Sequence, residues 1–331
     1  MAEETRDLAG AQVRSWRWSY VLPVAAALLA FLLDVCLPDA PTLVNVTAPH
    51  ALFRWLMLLA AVLSVVSAVR AFLSPEYRHR YFSRIDLAST LLLVLGIWNV
   101  LTKKMALLPA LYFPSFDMIL SVYLSDWKVL LTCTAYSLRL LVLGVLSGGA
   151  VGFLTGVLIG WSKKAYHWLF PIIRFIGPIP TTIWIPIAML LMPSLLHASV
   201  FIVALSMWFP LSFLTCSGIQ GVRKSLFEVG ETLGASQLYQ VVHIAIPAAM
   251  PNIFVGLFMG MVSSLISLVS AELIGAKYGL GWYINWQQQV MNYAEVYAGF
   301  LIIALLCYVI FRVIFRVRNR VLVWKKGAIR W

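Results

Sequence analysis

Long apolar segments, separated by short polar ones, occupy most of the chain. Several of them exceed the roughly 18 consecutive apolar residues that indicate a membrane-spanning helix. They predict eight spans, at about residues 20–37, 51–73, 85–101, 130–160, 168–192, 197–217, 251–271 and 296–316. We therefore expect an all-α polytopic membrane protein.

Composition agrees with this pattern and narrows the possible functions. Of 331 residues, 62% are apolar and 11% are charged, compared with about 25% charged residues in soluble domains. The formal net charge of +12 does not indicate a nucleic-acid partner, because the basic residues lie mainly between apolar segments. The four cysteines show no CxxC spacing, and the five histidines form no metal-ligand pattern. We predict neither a catalytic nor a metal site.

The basic residues also predict an orientation. With the N-terminus in the cytoplasm, eighteen Lys and Arg residues lie inside and five lie outside. Such a bias marks the cytoplasmic side, so both termini are expected there. The outside residues are Arg54, Lys103, Lys104, Lys128 and Lys277. The adjacent pair Lys103 and Lys104 runs against the rule.

Glycine and proline patterns distinguish two of the spans. Five glycines recur at every fourth position from Gly144 to Gly160, a spacing that lets another helix approach closely in lipid. The partner is either a helix of the same subunit or a second copy of the chain. The next span contains Pro171, Pro178, Pro180 and Pro186, which predict a kinked helix of the kind that lines a path.

Residues 228–247, EVGETLGASQLYQVVHIAIP, form a polar interruption among the apolar segments. Ser225 and Glu228 have the spacing of a capping box at a helix start. Gly234 can supply the left-handed residue that ends this helix, and Pro247 can close a second one. The pattern predicts two short, capped helices over 225–243 at the cytoplasmic surface, although an amphipathic connector remains an alternative.

This stretch resembles the signature of the permease subunits of binding-protein-dependent ABC importers. That signature is E-A-A, three residues, G, nine residues and I-x-L-P. Glu228, Gly234 and Pro247 match it, whereas Val229 and Gly230 replace its two alanines. Glycine costs up to about 1 kcal/mol of helix stability relative to alanine, and here it would allow a partner to approach closely.

Further segments are similar to the nitrate, sulfonate and taurine permease group. They are YFPSFDMIL, GPIPTTIWIPI and AELIGAKYGLGWYI. The arginine common before P-I-P in that group is Gly177 here. The resemblance covers roughly residues 85–331, and the first 84 residues have no counterpart in the usual six-span form.

The resemblance implies a type I ABC importer transmembrane fold with two extra N-terminal helices, or about eight spans. Residues 1–84 would be the extension, 85–317 the permease core and 318–331 a basic cytoplasmic tail. The residues expected to couple to an ATPase are Ser225, Glu228, Val229, Gly230, Glu231, Gly234, Ala235 and Pro247. The protein would lie in the bacterial inner membrane and import a small anionic or zwitterionic solute.

The family also implies partners. Two permease subunits, here expected as a homodimer, pair with two cassette ATPases, and an extracytoplasmic solute-binding protein delivers the substrate. The chain has no G-x-x-x-x-G-K-[ST] phosphate loop. We therefore expect it to be non-catalytic and without a cofactor, with ATP and Mg²⁺ bound by the ATPase partner.

Three ionisable residues fall within or at the ends of the apolar spans, where charge is costly and often functional. Arg139 and Arg174 could attract an anion or reach the interface as anchors. Glu272 could act near the outer gate or serve structurally.

Two other classes of protein remain as alternatives. A secondary transporter or channel without an ATPase would predict inverted repeats in the sequence. A membrane scaffold would not explain the cytoplasmic motif.

Overall fold

A computed structural model describes residues 21–40, 52–273 and 277–323. The part of the predicted tail beyond residue 323 and the basic residues before residue 21 lie outside these ranges. All regular structure in the described ranges is helical. The α-helices are α1 Leu22–Cys36, α2 Leu52–Leu73, α3 Pro75–Asn99, α4 Phe116–Ser125, α5 Trp127–Trp161, α6 Lys163–Ile176, α7 Ile185–Leu191, α8 Leu195–Gln220, α9 Lys224–Thr232, α10 Gln237–Gln240, α11 Ile246–Leu273, α12 Leu280–Gln289 and α13 Tyr293–Val321.

Among the described residues, six helical segments are long and apolar enough to cross a membrane. They are Leu52–Leu73, Arg84–Lys104, Trp127–Trp161, Leu195–Gln220, Gln237–Leu273 and Tyr293–Val321. These confirm six of the eight predicted spans. The predicted first span is the 15-residue α1, whose length of about 22 Å is less than the roughly 30 Å of a hydrocarbon core.

The predicted fifth span, 168–192, is broken in the middle. Helix α6 ends at Ile176, and the segment Thr181–Leu191 leaves it at 93°. Pro178 and Pro180 lie in the break, where they cannot donate the N–H bonds that would continue a helix. The expected kink is confirmed, and the two pieces form either one broken span or a re-entrant loop.

The described residues divide into two compact units, one within 1–127 with 287–298 and one within 128–286 with 299–331. In the first unit, α1 and α2 pack with α3 around small residues such as Ala27 and Ala30. A Cβ added to Gly96 of α3 would lie 2.9 Å from the Ala30 Cβ. Helix α3 thus shares a core with the extension helices, and the domain boundary after residue 84 stays a prediction.

Three cations and three carboxylates form a charge-balanced cluster within this first unit. The cations are Arg54, Lys103 and Lys104, and the carboxylates are Asp34, Asp39 and Asp117. Lys104 Nζ lies 2.6 Å from Asp39 Oδ1, and Lys103 Nζ lies 2.8 Å from Asp117 Oδ2. The two lysines that run against the orientation rule are therefore both ion-paired with carboxylates of this unit.

In the second unit, the glycine stripe of α5 packs against α8. A Cβ at Gly148 would collide with the backbone of Ala204, and one at Gly156 would lie 2.7 Å from the Ser212 carbonyl oxygen. A Cβ at Gly144 would lie 2.5 Å from Val203 Cγ1, and one at Gly160 would lie 2.9 Å from Ile219 Cβ. Packing within the subunit, the first of the two predicted roles, is confirmed, and the stripe is already covered by α8.

Candidate functional site

The helix α9 begins without the predicted capping box. Its N-cap is Arg223, whose φ of −61° and ψ of 130° are extended, and within the described part of the chain no side chain caps the helix start. A capping serine must itself have non-helical dihedrals, but Ser225 is already the second residue of the helix. The capping-box prediction is therefore wrong, because the helix starts earlier than the sequence indicated.

The end of α9 has the predicted left-handed glycine. Gly234 has φ +77°, and its N–H donates to the Glu231 carbonyl oxygen at 2.9 Å. The Ala235 N–H donates to the Gly230 carbonyl oxygen at 2.9 Å. These two bonds are those of a Schellman motif, which closes the last turn of a helix. The turn is a defined structure rather than a flexible connection.

The predicted second short helix is the first part of a long one. After Ser236, whose side chain accepts the Tyr239 N–H, α10 continues through a π-helical segment, Val241–Ala245, into α11. Pro247 therefore lies inside a continuous helix and does not close the unit. Because proline has no N–H, the bonding pattern changes before it, and Ile246 donates to Val241 five residues back.

The inner face of α9 is fixed against the rest of the second unit. Phe227 meets the Trp161 ring edge-on, with centroids 5.5 Å apart. A Cβ added to the buried Gly230 would lie 2.9 Å from Ile244 Cδ1. Gly230, which the sequence suggested could admit a partner, instead allows α9 to approach the π-helical segment of its own chain.

The outer face of α9 presents apolar side chains to solvent. Leu226, Val229 and Leu233 follow helical spacing and are 40%, 58% and 82% exposed, and Leu238 beyond the turn is 75% exposed. We call these four residues the exposed stripe. Of the predicted coupling residues, the exposed ones are Ser225, Glu228, Val229, Glu231 and Gly234, the partly buried ones are Ala235 and Pro247, and the buried one is Gly230.

The three predicted ionisable residues of the membrane path do not form one cluster. Arg139 and Arg174 are exposed, and in the described ranges neither makes an ion pair with Glu272. Glu272 is buried, with 1% exposure. Its Oε1 accepts the Ser137 hydroxyl at 2.5 Å, and its Oε2 accepts the Gly281 N–H at 2.7 Å.

Glu272 and Ser137 together hold the start of α12. The Leu280 N–H donates to Ser137 Oγ at 2.8 Å, so the first two amides of α12 both have partners. A carboxylate at a helix N-terminus also interacts favourably with the helix dipole. This geometry favours the structural role for Glu272. Sequence reasoning missed Ser137, since a single serine in an apolar helix carries no distinguishing signal.

Comparison with known proteins places this architecture in a family. Residues 148–323 match the family described as "Binding-protein-dependent transport system inner membrane component". The match covers more than half of the 331 residues. The chain belongs to this family. It is therefore a multi-pass transport permease of the ABC importer class, as the sequence motif predicted.

Two permeases contain segments that are similar in sequence to this chain. The chain is 31% identical over 108 residues to the putative aliphatic sulfonates transport permease protein SsuC of Bacillus subtilis, covering 33% of this chain and 39% of that one. It is 31% identical over 114 residues to the nitrate import permease protein NrtB of Synechocystis sp., covering 34% and 42%. The match thus spans about two fifths of each relative.

The fold comparison agrees with this assignment. An inward-facing structure of the MetNI methionine ABC transporter aligns with a TM-score of 0.52 and 18% identity. The alignment covers 60% of this permease and 98% of that chain. At this identity the likeness concerns the fold, and it confirms the predicted ABC importer transmembrane architecture.

Proposed function

We propose that this permease is the transmembrane subunit of an ATP-driven importer and that α9 with its exposed stripe docks onto a separate cassette ATPase. The observation that supports this proposal is the contrast between the two faces of α9. Its inner face is fixed by Phe227 and Gly230, whereas its outer face holds exposed leucines and valine. Contiguous exposed apolar side chains are typical of interaction sites.

The rigidity of this unit supports mechanical coupling. The Schellman turn at Gly234 ends α9, and the chain then enters α10, which continues into α11 without a break. A force applied to α9 by ATPase closure would therefore reach a transmembrane helix directly. Glu228 and Glu231, both exposed beside the stripe, add charges that would help select the partner surface.

The proposed cargo is a small anionic or zwitterionic solute, such as nitrate, a sulfonate or a taurine-like compound. The names of the similar permeases, for aliphatic sulfonates and nitrate, support this class. A solute-binding protein would deliver the solute from outside, and two permease copies would form the path. ATP and Mg²⁺ would bind the ATPase, and both termini would lie on the cytoplasmic side of the inner membrane.

The docking proposal is tested by placing a charge in the exposed stripe. Leu233→Glu should insert normally but lose co-purification with the co-expressed cassette ATPase and lose ATP-driven uptake in proteoliposomes. Leu107→Glu is the matched control, because Leu107 is a 63% exposed leucine in the connection before α4. If Leu233→Glu retains both ATPase binding and uptake at the level of Leu107→Glu, the docking surface is elsewhere.

A further inference from the structure

A cavity of about 360 Å³ lies in the second unit, at the break between α6 and α7. Residues 176–182 of the break form one wall, and α8 and α11 supply the others. Among the residues that the structure describes, no ionisable side chain lines it. The hydroxyl-bearing residues of the wall are Thr181, Thr182, Ser206, Ser263 and Ser267. The wall is largely apolar, and its polar part consists of neutral hydroxyl groups.

Three of these hydroxyls form a hydrogen-bonded row. Thr181 Oγ1 lies 2.6 Å from Ser267 Oγ, and Ser267 Oγ lies 2.6 Å from Ser206 Oγ. Ser206 Oγ is also 2.9 Å from the Ile202 carbonyl oxygen, but it has only one hydrogen to donate. When Ser206 donates to Ser267 and Ser267 donates to Thr181, the hydrogen of Thr181 is free for a ligand.

This direction of the row is the one that an acceptor ligand would select. Each donation polarises the next hydroxyl, so the terminal donor becomes stronger than an isolated hydroxyl. Thr182 and Ser263 also line the cavity, and their hydroxyls have no partner within residues 21–40, 52–273 and 277–323. They provide two further donors without breaking any existing bond.

The chemistry of the wall favours a small oxyanion. Such an ion has several acceptor oxygens, which match a set of hydroxyl donors. A hard cation would be expected to bind carboxylate oxygens, and the described residues of the wall include none. Neutral donors also hold an anion less firmly than an arginine would, which suits a site that must release its ligand during transport. Apolar side chains such as Phe209 and Ile266 could contact the organic part of a sulfonate.

We infer that this cavity is a binding site for the transported oxyanion, with the row Thr181–Ser267–Ser206 as its principal donor. The inference rests on the proposed import function and adds the site at which the solute binds. It also moves the expected anion contacts away from the exposed Arg139 and Arg174 to neutral hydroxyls at the helix break.

The test uses the assembled importer with its ATPase and solute-binding protein in proteoliposomes. Uptake of nitrate and of ethanesulfonate is measured as a function of concentration for wild type, Thr181→Val and Ser267→Ala. In Thr181→Val, loss of a hydrogen bond to a charged ligand should raise KM about ten-fold or more, with ATPase assembly and basal ATP hydrolysis unchanged. Ser267→Ala removes the hydroxyl that polarises Thr181, so it should raise KM by less. Thr181→Ser, which keeps the hydroxyl, should restore KM to near the wild-type value.

Ser264→Ala is the matched control. Ser264 lies on the same helix and is buried, but its hydroxyl donates to the Val203 carbonyl oxygen at 3.3 Å, and it does not line the cavity. If wild type carries a probe and Thr181→Val and Ser267→Ala behave like Ser264→Ala, the cavity is not the site, although the import function stands. If wild type carries neither probe, the proposed solute class fails and the inference fails with it.

Discussion

The backbone N–H of Ala235 donates to the carbonyl oxygen of Gly230 at 2.9 Å. This bond closes α9 and requires the residue between them, Gly234, to be left-handed, with φ +77°. A Cβ at Gly234 would meet no atom of the described residues within 4 Å, apart from its chain neighbours. The need for glycine here is therefore conformational and does not come from packing.

We expect Gly234→Val to weaken ATPase coupling. A β-branched residue is strongly disfavoured at positive φ, and the left-handed conformation costs an ordinary residue roughly 1–2 kcal/mol. The variant should insert normally but show reduced ATPase co-purification and uptake. Gly234→Asn, which tolerates this conformation better, should retain more of both. Equal behaviour of the two variants would contradict the conformational explanation.

Gly230→Ala restores a residue of the family signature but should be destabilising here. The added Cβ would lie 2.9 Å from Ile244 Cδ1, so that side chain must move. The gain in helix propensity, up to about 1 kcal/mol, would offset part of the cost. Shortening the neighbour in Gly230→Ala/Ile244→Val should make the alanine less costly. Thermal unfolding in detergent, measured for both single variants and the double variant, gives the coupling energy between positions 230 and 244. Additive effects of the two substitutions on stability would refute the proposed contact.

Replacing Glu272 should weaken the attachment of α12. Glu272→Ala leaves the Ser137 hydroxyl and the Gly281 N–H without their shared acceptor, and each buried unsatisfied group costs about 1–3 kcal/mol. We expect a lower unfolding temperature and reduced uptake. Ser270→Ala is the control, because Ser270 is a half-buried serine on the same helix whose hydroxyl donates only to the Ile266 carbonyl oxygen of its own helix. A Glu272→Ala variant with wild-type stability and selectively altered solute affinity would instead support a role in the path.

Removal of residues 1–74 should lower yield while leaving ATPase assembly measurable. The buried Lys104 would lose the Asp34 and Leu37 carbonyl oxygens and the Asp39 carboxylate as partners, and an uncompensated buried charge is destabilising. Lys104→Leu should therefore raise the yield of the shortened chain but lower the stability of the full chain. Size-exclusion chromatography and thermal unfolding measure both effects. If Lys104→Leu changes stability in the same direction in the shortened and the full chain, the charge cluster does not cause the loss of yield.

Sequence alone determined the features that depend on neighbouring residues. The apolar runs identified the long spans, the prolines identified the broken one, and Gly234 identified the left-handed end of α9. Each follows from local dihedral preference or from the hydrophobicity of one segment, so no other part of the chain needs to be known.

Tertiary structure decided the features that join distant residues. Glu272 meets Ser137 from 135 positions away, and Lys104 meets Asp39 across 65. The helix start at Lys224 and the contact of Gly230 with Ile244 also departed from the local motif. Sequence pattern indicates hydrophobicity and local conformation. The residue that a buried polar group or a glycine contacts depends on which helices pack together, and helix packing depends on the whole chain.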